Sequence, residues 1–258
     1  MKSQSFCVLI AYLSLLIVFA GCSSTGPDYD PEVEPGVYRF DFETGAQGWE
    51  ALFVGVPVES NEYTDLEVLP TSDHRSLPKG IDRDGKALFI SGESNGPGMG
   101  LYLKRPIGGL MPGTTYKVHF DVEMATQTPD CLIGIGGGSG GTRAVAAAIS
   151  EEPTRIREEG RYVDMYVLDE GSESDLDFPP SSSDPSVLGT TANGIPCDQA
   201  REMNRPWRLK RLESGADFWS VKANEKGRVW VLVGTWSAYY NPLSFYYDEI
   251  TIRFEEQE

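Results

Sequence analysis

The residues best placed to do chemistry are His119, Asp121 and Glu123, at every second position of the stretch Thr115 to Met124. In an extended chain they share one face, with the two carboxylates about 7 Å apart. That spacing suits paired-carboxylate glycoside hydrolysis. A general base also needs a positioned partner and a nucleophile. Neither an HExxH nor a GxSxG motif is present, and the other histidine, His74, lies in a polar stretch from Thr71 to Arg75. Alternating charge on an exposed strand accounts for the same pattern, so the chain is read as non-catalytic. A GxGxxG spacing occurs at Gly136, Gly138 and Gly141. A dinucleotide site would need a helix after it, and Ala144 to Ile149 is too short and β-like. The glycines are read instead as a flexible hairpin or a close backbone approach.

A second group is aromatic. Trp236, Tyr239 and Tyr240 fall in the loop Thr235 to Pro242, whose Asn241-Pro242 marks a turn. Three aromatics on a loop can form a flat platform for sugar rings or for a protein partner; they can equally pack beneath the loop. Trp207 and Trp219 flank a turn-rich stretch and are open to either role. Trp230, inside an apolar run, is expected in the core.

The elements that must position these residues are strands. Tyr38, Phe40 and Phe42 alternate with Arg39, Asp41 and Glu43. Tyr116, Val118, Phe120 and Val122 alternate with Lys117, His119, Asp121 and Glu123, a period of two. Ala87 to Ile90, Met99 to Lys104, Cys131 to Ile135 and Arg143 to Ile149 are further strand candidates. Arg228 to Thr235 is apolar enough for a central strand, and Leu243 to Phe254 closes the chain. Asp248 is expected inward with Tyr246, Ile250, Ile252 and Phe254, where a carboxylate needs a cation or strong donors. Between about 151 and 206 the pattern dissolves into what reads as an irregular insertion. The expected organisation is a single all-β domain over 36–258.

Three stretches carry a resemblance. Phe40-Asp41-Phe42-Glu43-Thr44-Gly45 followed by Gly48-Trp49 resembles the first strand of galactose-binding-like jelly rolls, which include many carbohydrate-binding modules. Leu110-Met111-Pro112-Gly113-Thr114-Thr115-Tyr116 is similar to their hairpin leading into a core strand. Phe245 to Ile252 is similar to their closing strand. The resemblance implies a jelly-roll β-sandwich and a carbohydrate ligand. It also implies a structural calcium held by Glu43 and Asp248 with nearby backbone carbonyls.

The N-terminus supplies an address. Lys2 precedes an apolar run from Phe6 to Ala20, of signal-peptide length. Phe19-Ala20-Gly21-Cys22 resembles the lipobox of bacterial lipoproteins, with Phe19 where an aliphatic residue is usual. The expectation is a signal peptide over 1–21, a lipid on Cys22 and a flexible tether over 22–35. Ser23 is not the aspartate that retains such proteins in the inner membrane, so an outer-membrane anchor is expected. In that compartment Cys131 and Cys197 read as a disulfide; two separate buried thiols are the alternative. The balance of 22 basic against 39 acidic residues, net −17, excludes a nucleic-acid partner. The leading expectation is a lipid-anchored, non-catalytic envelope module binding glycan. A structural or protein-interaction lipoprotein without a small ligand stands second, and a periplasmic hydrolase third.

Overall fold

A computed structural model describes residues 36–57, 70–93, 98–130, 141–158, 161–166, 187–215, 219–237 and 242–257. Strands dominate, and every strand pairing is antiparallel.

Sheet A is built around β7 (Thr115–Thr126) and β15 (Leu243–Glu256), the two longest strands. On the far side of β15 lie β5 (Lys86–Gly92), β4 (Thr71–Ser76) and β1 (Val37–Phe40); on the far side of β7 lie β12 (Arg208–Glu213) and β13 (Trp219–Lys222). Sheet B runs β11 (Val187–Thr190), β8 (Thr142–Ile149), β14 (Val229–Ser237), β6 (Met99–Ile107) and β2 (Glu50–Val54). The apolar run around Val231 is thus a central strand, as its composition predicts. The two sheets pack face to face as a jelly-roll β-sandwich. Phe120, Val122, Phe245 and Ile250 come from sheet A, and Leu101, Leu103, Val231 and Val233 from sheet B; all are buried.

Alternation decides which way each strand faces. In β7 the apolar set Tyr116, Val118, Phe120 and Val122 is buried, and Lys117, His119, Asp121 and Glu123 stand on the outer face. The hairpin before β7 is closed by its own tyrosine: the Met111 N–H donates to Tyr116 Oη at 2.9 Å. On the inner face of sheet B, Ala144, Ala146 and Ala148 leave room for Trp219, whose Nε1–H donates to Ala148 O at 2.5 Å.

The two sheets differ on their outer faces. On sheet B, Leu52, Val54, Tyr102, Val145, Ala147 and Leu232 point away from sheet A yet are buried. A third layer therefore covers them. A separate three-stranded sheet, β3 (Val56–Pro57), β10 (Arg161–Tyr166) and β9 (Thr154–Glu158), runs with β10 close to β2. On this outer face Tyr102 crosses two glycines: a Cβ at Gly100 or Gly234 would lie 2.0 or 2.4 Å from its ring. Trp230 also lies on this outer face, half-buried, with Lys104 Nζ 5.2 Å from its ring centroid. It is not in the core as its apolar neighbours suggest, because period two turns it away from Val229 and Val231.

The stretch expected to be an irregular insertion contains β9, β10, β11 and the helix α1 (Cys197–Glu202). Short elements of mixed polar composition carry no period of two in the sequence. The expected strand Cys131 to Ile135, the glycines at 136 and 138, and the segment 171–186 lie outside the described residues.

Candidate functional site

The bulge in β15 determines the chemistry of the site. Register with β7 slips between Tyr247 and Glu249. Before the slip Phe245 and Tyr247 face the core; after it Ile250, Ile252 and Phe254 do. Asp248 therefore does not share the inward face with Ile250, as uninterrupted alternation predicts. It stands on the outer side, where Arg83 donates to its carboxylate and, at 2.8 Å, to Glu123 Oε2.

Asp248 is 8% exposed. Its burial raises the carboxyl pKa to about 6; Arg83 pulls it down, while Glu123 and Glu43 push it up. Arg83 supplies the cation that a buried carboxylate requires. Glu43, exposed, accepts the Lys86 N–H at 3.3 Å. Among the described residues no three His, Cys, Asp or Glu side chains gather as a metal ion would need. Of the two carboxylates expected to hold calcium, Asp248 is paired with Arg83 and Glu43 with the Lys86 N–H.

Two further carboxylates of this face are also held by arginines. Arg211 Nε donates to Asp121 Oδ1 at 2.8 Å, and Arg39 donates to Glu249 at 2.5 Å. His119 Nε2 lies 3.6 Å from Glu255. Asp121 and Glu123 therefore face Arg211 and Arg83 rather than a free reacting centre. His74 lies on the edge strand β4, with Nε2 2.6 Å from Phe42 O.

Beside these charges runs a row of aromatics that the sequence left unconnected. Phe89 on β5 is the register partner of Tyr246 on β15, with ring centroids 4.7 Å apart. Trp207, just before β12, meets Tyr246 edge to face at 4.9 Å. The Arg75 guanidinium covers Phe89 at 3.9 Å and pairs with Asp73 at 2.9 Å. Trp207 and Tyr246 remain half-buried. No local motif marks them, because their contact depends on strand pairing across the chain. At the other end of the same face a depression of about 440 Å³ is lined by His119, Asp121, Glu213, Arg253 and Glu255.

Of the expected platform, Trp236 is half-buried with its indole against Gly98; Tyr239 and Tyr240 lie outside the described residues, as do Cys22 and Cys131. Cys197 is disulfide-bonded. The residue before it, Pro196, forms a parallel bridge with Asp130, and the Asp130 N–H donates to Ile195 O at 2.7 Å.

No family model matches the chain, and no curated protein matches it by sequence. Among solved structures it is similar to the CBM22-1 xylan-binding domain of Paenibacillus barcinonensis Xyn10C, at 9% identity and TM-score 0.36, covering 86% of this chain and 95% of that one. It is similar to a cleaved adhesin domain of Lys-gingipain from Porphyromonas gingivalis, at 10% identity and TM-score 0.37, covering 84% and 98%. It is also similar to the enzymatically active domain of bacteriophage CBA120 tailspike protein 4, at 8% identity and TM-score 0.35; it covers 84% of this chain and spans only 20% of that one. These likenesses concern the fold alone.

Proposed function

We propose that this protein is a lipid-anchored envelope module that binds carbohydrate on the outer face of sheet A. The observation that carries the reading is the contrast between the two outer faces. Much of sheet B's is buried, with Trp230 and Trp236 half-buried on it, whereas sheet A's presents Trp207 and Tyr246 beside a lattice of paired arginines and carboxylates. Aromatic faces offer rigid apolar area to the C–H side of a pyranose. Guanidinium and carboxylate groups give directional, charge-assisted hydrogen bonds to its hydroxyls. A surface built this way holds a sugar without cleaving it, since Asp121 and Glu123 already have arginine partners.

The anchor is the lipid on Cys22, and several acyl chains on one cysteine hold a protein firmly to a bilayer. The disulfide partner of Cys197 is Cys131, supported by the Asp130–Pro196 bridge one residue before both.

A glycan array probed with the full chain in detergent tests the binding reading. Retention of a defined set of oligosaccharides, lost in Trp207→Ala, is the expected result. No retained glycan, with an envelope protein captured through the same face, would favour an interaction lipoprotein instead. Fractionation tests the anchor: Cys22→Ala should leave the membrane fraction, and retention there would contradict it.

A further inference from the structure

One edge of β7 is interrupted halfway along. β12 pairs with it as far as Glu213 opposite Asp121, and β13 takes over only from Trp219 opposite Val118. Between the two, Ser214 stands in for a strand. Its N–H donates to Phe120 O at 2.8 Å, and its Oγ accepts the Phe120 N–H at 2.9 Å. Next comes Gly215, where an added Cβ would meet no other group within 4 Å. The break leaves a gap in the outer row of side chains. The depression of about 440 Å³ on sheet A lies there, with Ser214 in its wall.

The polar groups of this hollow converge from neighbouring strands. His119 on β7 and Arg253 on β15 are register partners, and Asp121 and Thr251 are partners one step along the same face. Arg253 is exposed and makes no ion pair among the described residues, unlike Arg39, Arg75, Arg83 and Arg211. His119 Nε2 lies 3.6 Å from Glu255, too far for a hydrogen bond, so both keep capacity for a third group. Ser214 Oγ accepts from Phe120 and still has its own proton to give. One opening therefore offers donors and acceptors together.

The hollow is in line with the aromatic row. Tyr246 lies opposite Ala125 and Arg253 opposite His119. Those two levels of β7 are about 20 Å apart along an extended strand. The strip between them carries the Arg83–Glu123 and Arg211–Asp121 pairs.

We propose that the hollow is a second sugar subsite, and that sheet A's outer face takes a linear, uncharged oligosaccharide lying along β7 from Trp207 and Tyr246 to His119 and Arg253. Neither one sugar ring nor two reach across about 20 Å. A hydroxyl both donates and accepts, which matches a wall of mixed groups. Three carboxylates, Asp121, Glu213 and Glu255, stand against Arg253 and the neighbouring Arg211. That balance offers no positive field to a polyanion. The assignment rests on the carbohydrate reading of this face and adds a chain length and a direction to it.

Calorimetric titration of the full chain tests it, comparing the disaccharide and the hexasaccharide of a linear neutral glycan retained on the array. The hexasaccharide should bind at least about tenfold more tightly, and Arg253→Met or His119→Ala should cut that advantage to about threefold or less. Proton–nitrogen correlation spectra of the unmodified chain give the same test without a variant. The hexasaccharide should shift the backbone amides of Ser214 and Arg253 as well as those of Trp207 and Tyr246, and the disaccharide only the latter two. Equal affinity for both lengths, or an advantage that survives both substitutions, overturns the proposal and leaves the carbohydrate reading standing. Shifts at Ser214 and Arg253 alone would support the hollow as a sugar site and sink the aromatic reading. A hexagalacturonate that binds as tightly as the neutral hexasaccharide overturns the uncharged assignment. An array that retains no glycan overturns both readings.

Discussion

Arg83 and Asp248, 165 positions apart, form an ion pair at the point where β15 changes the face it turns to the core. The pair makes a prediction about pH. The folded-state pKa of Asp248, about 6, lies above the usual carboxylate value. The native state therefore holds this proton more tightly than the unfolded chain. Its contribution to stability is fully present below about pH 4 and is lost as pH rises through about 6. Asp248→Asn should flatten that segment of the melting-temperature profile. An unaltered slope between pH 4 and 6 would remove Asp248 from the account. Arg83→Met should lower stability by about 1–2 kcal/mol at pH 7, less than for a sealed pair because Arg83 is 42% exposed.

Tyr102 lies across Gly100 and Gly234 with no room for a side chain between them. Gly234→Ala should cost about 1–3 kcal/mol through overpacking, read as a lower urea midpoint with little change in slope. A variant as stable as the parent would mean that the third layer yields freely.

Much of this architecture was legible in the sequence, for a simple reason. Strands with one face buried show period two, and β7 shows it over its first ten residues. The hairpin before Tyr116 and the apolar β14 were equally plain. Asp248 was misplaced because a bulge adds a residue without a sequence mark, and from there the parity of the strand inverts. The cover on sheet B's outer face was missed for another reason: nothing in a single strand tells which sheet face will be covered twice. The Trp207–Tyr246–Phe89 row joins three separate elements and exists only after the sheet has formed.

The Asp130–Pro196 bridge places the residues preceding two cysteines side by side. Peptide mapping without reduction should recover a Cys131–Cys197 cross-link. Cys197→Ser should lower stability by about 2–4 kcal/mol. A cross-link from Cys197 to any other cysteine would contradict the pairing.

The central claim is that sugar is held on sheet A's outer face, by Trp207 and Tyr246. The most direct measurement titrates an oligosaccharide retained on the array into the full chain, Trp207→Ala, Tyr246→Ala and Trp236→Ala, following heat by calorimetry. Either change on sheet A should weaken binding by at least about tenfold, the effect of losing one stacked ring, while Trp236→Ala binds as the parent does. Loss of binding in Trp236→Ala alone, with the sheet A variants unaffected, would contradict the account.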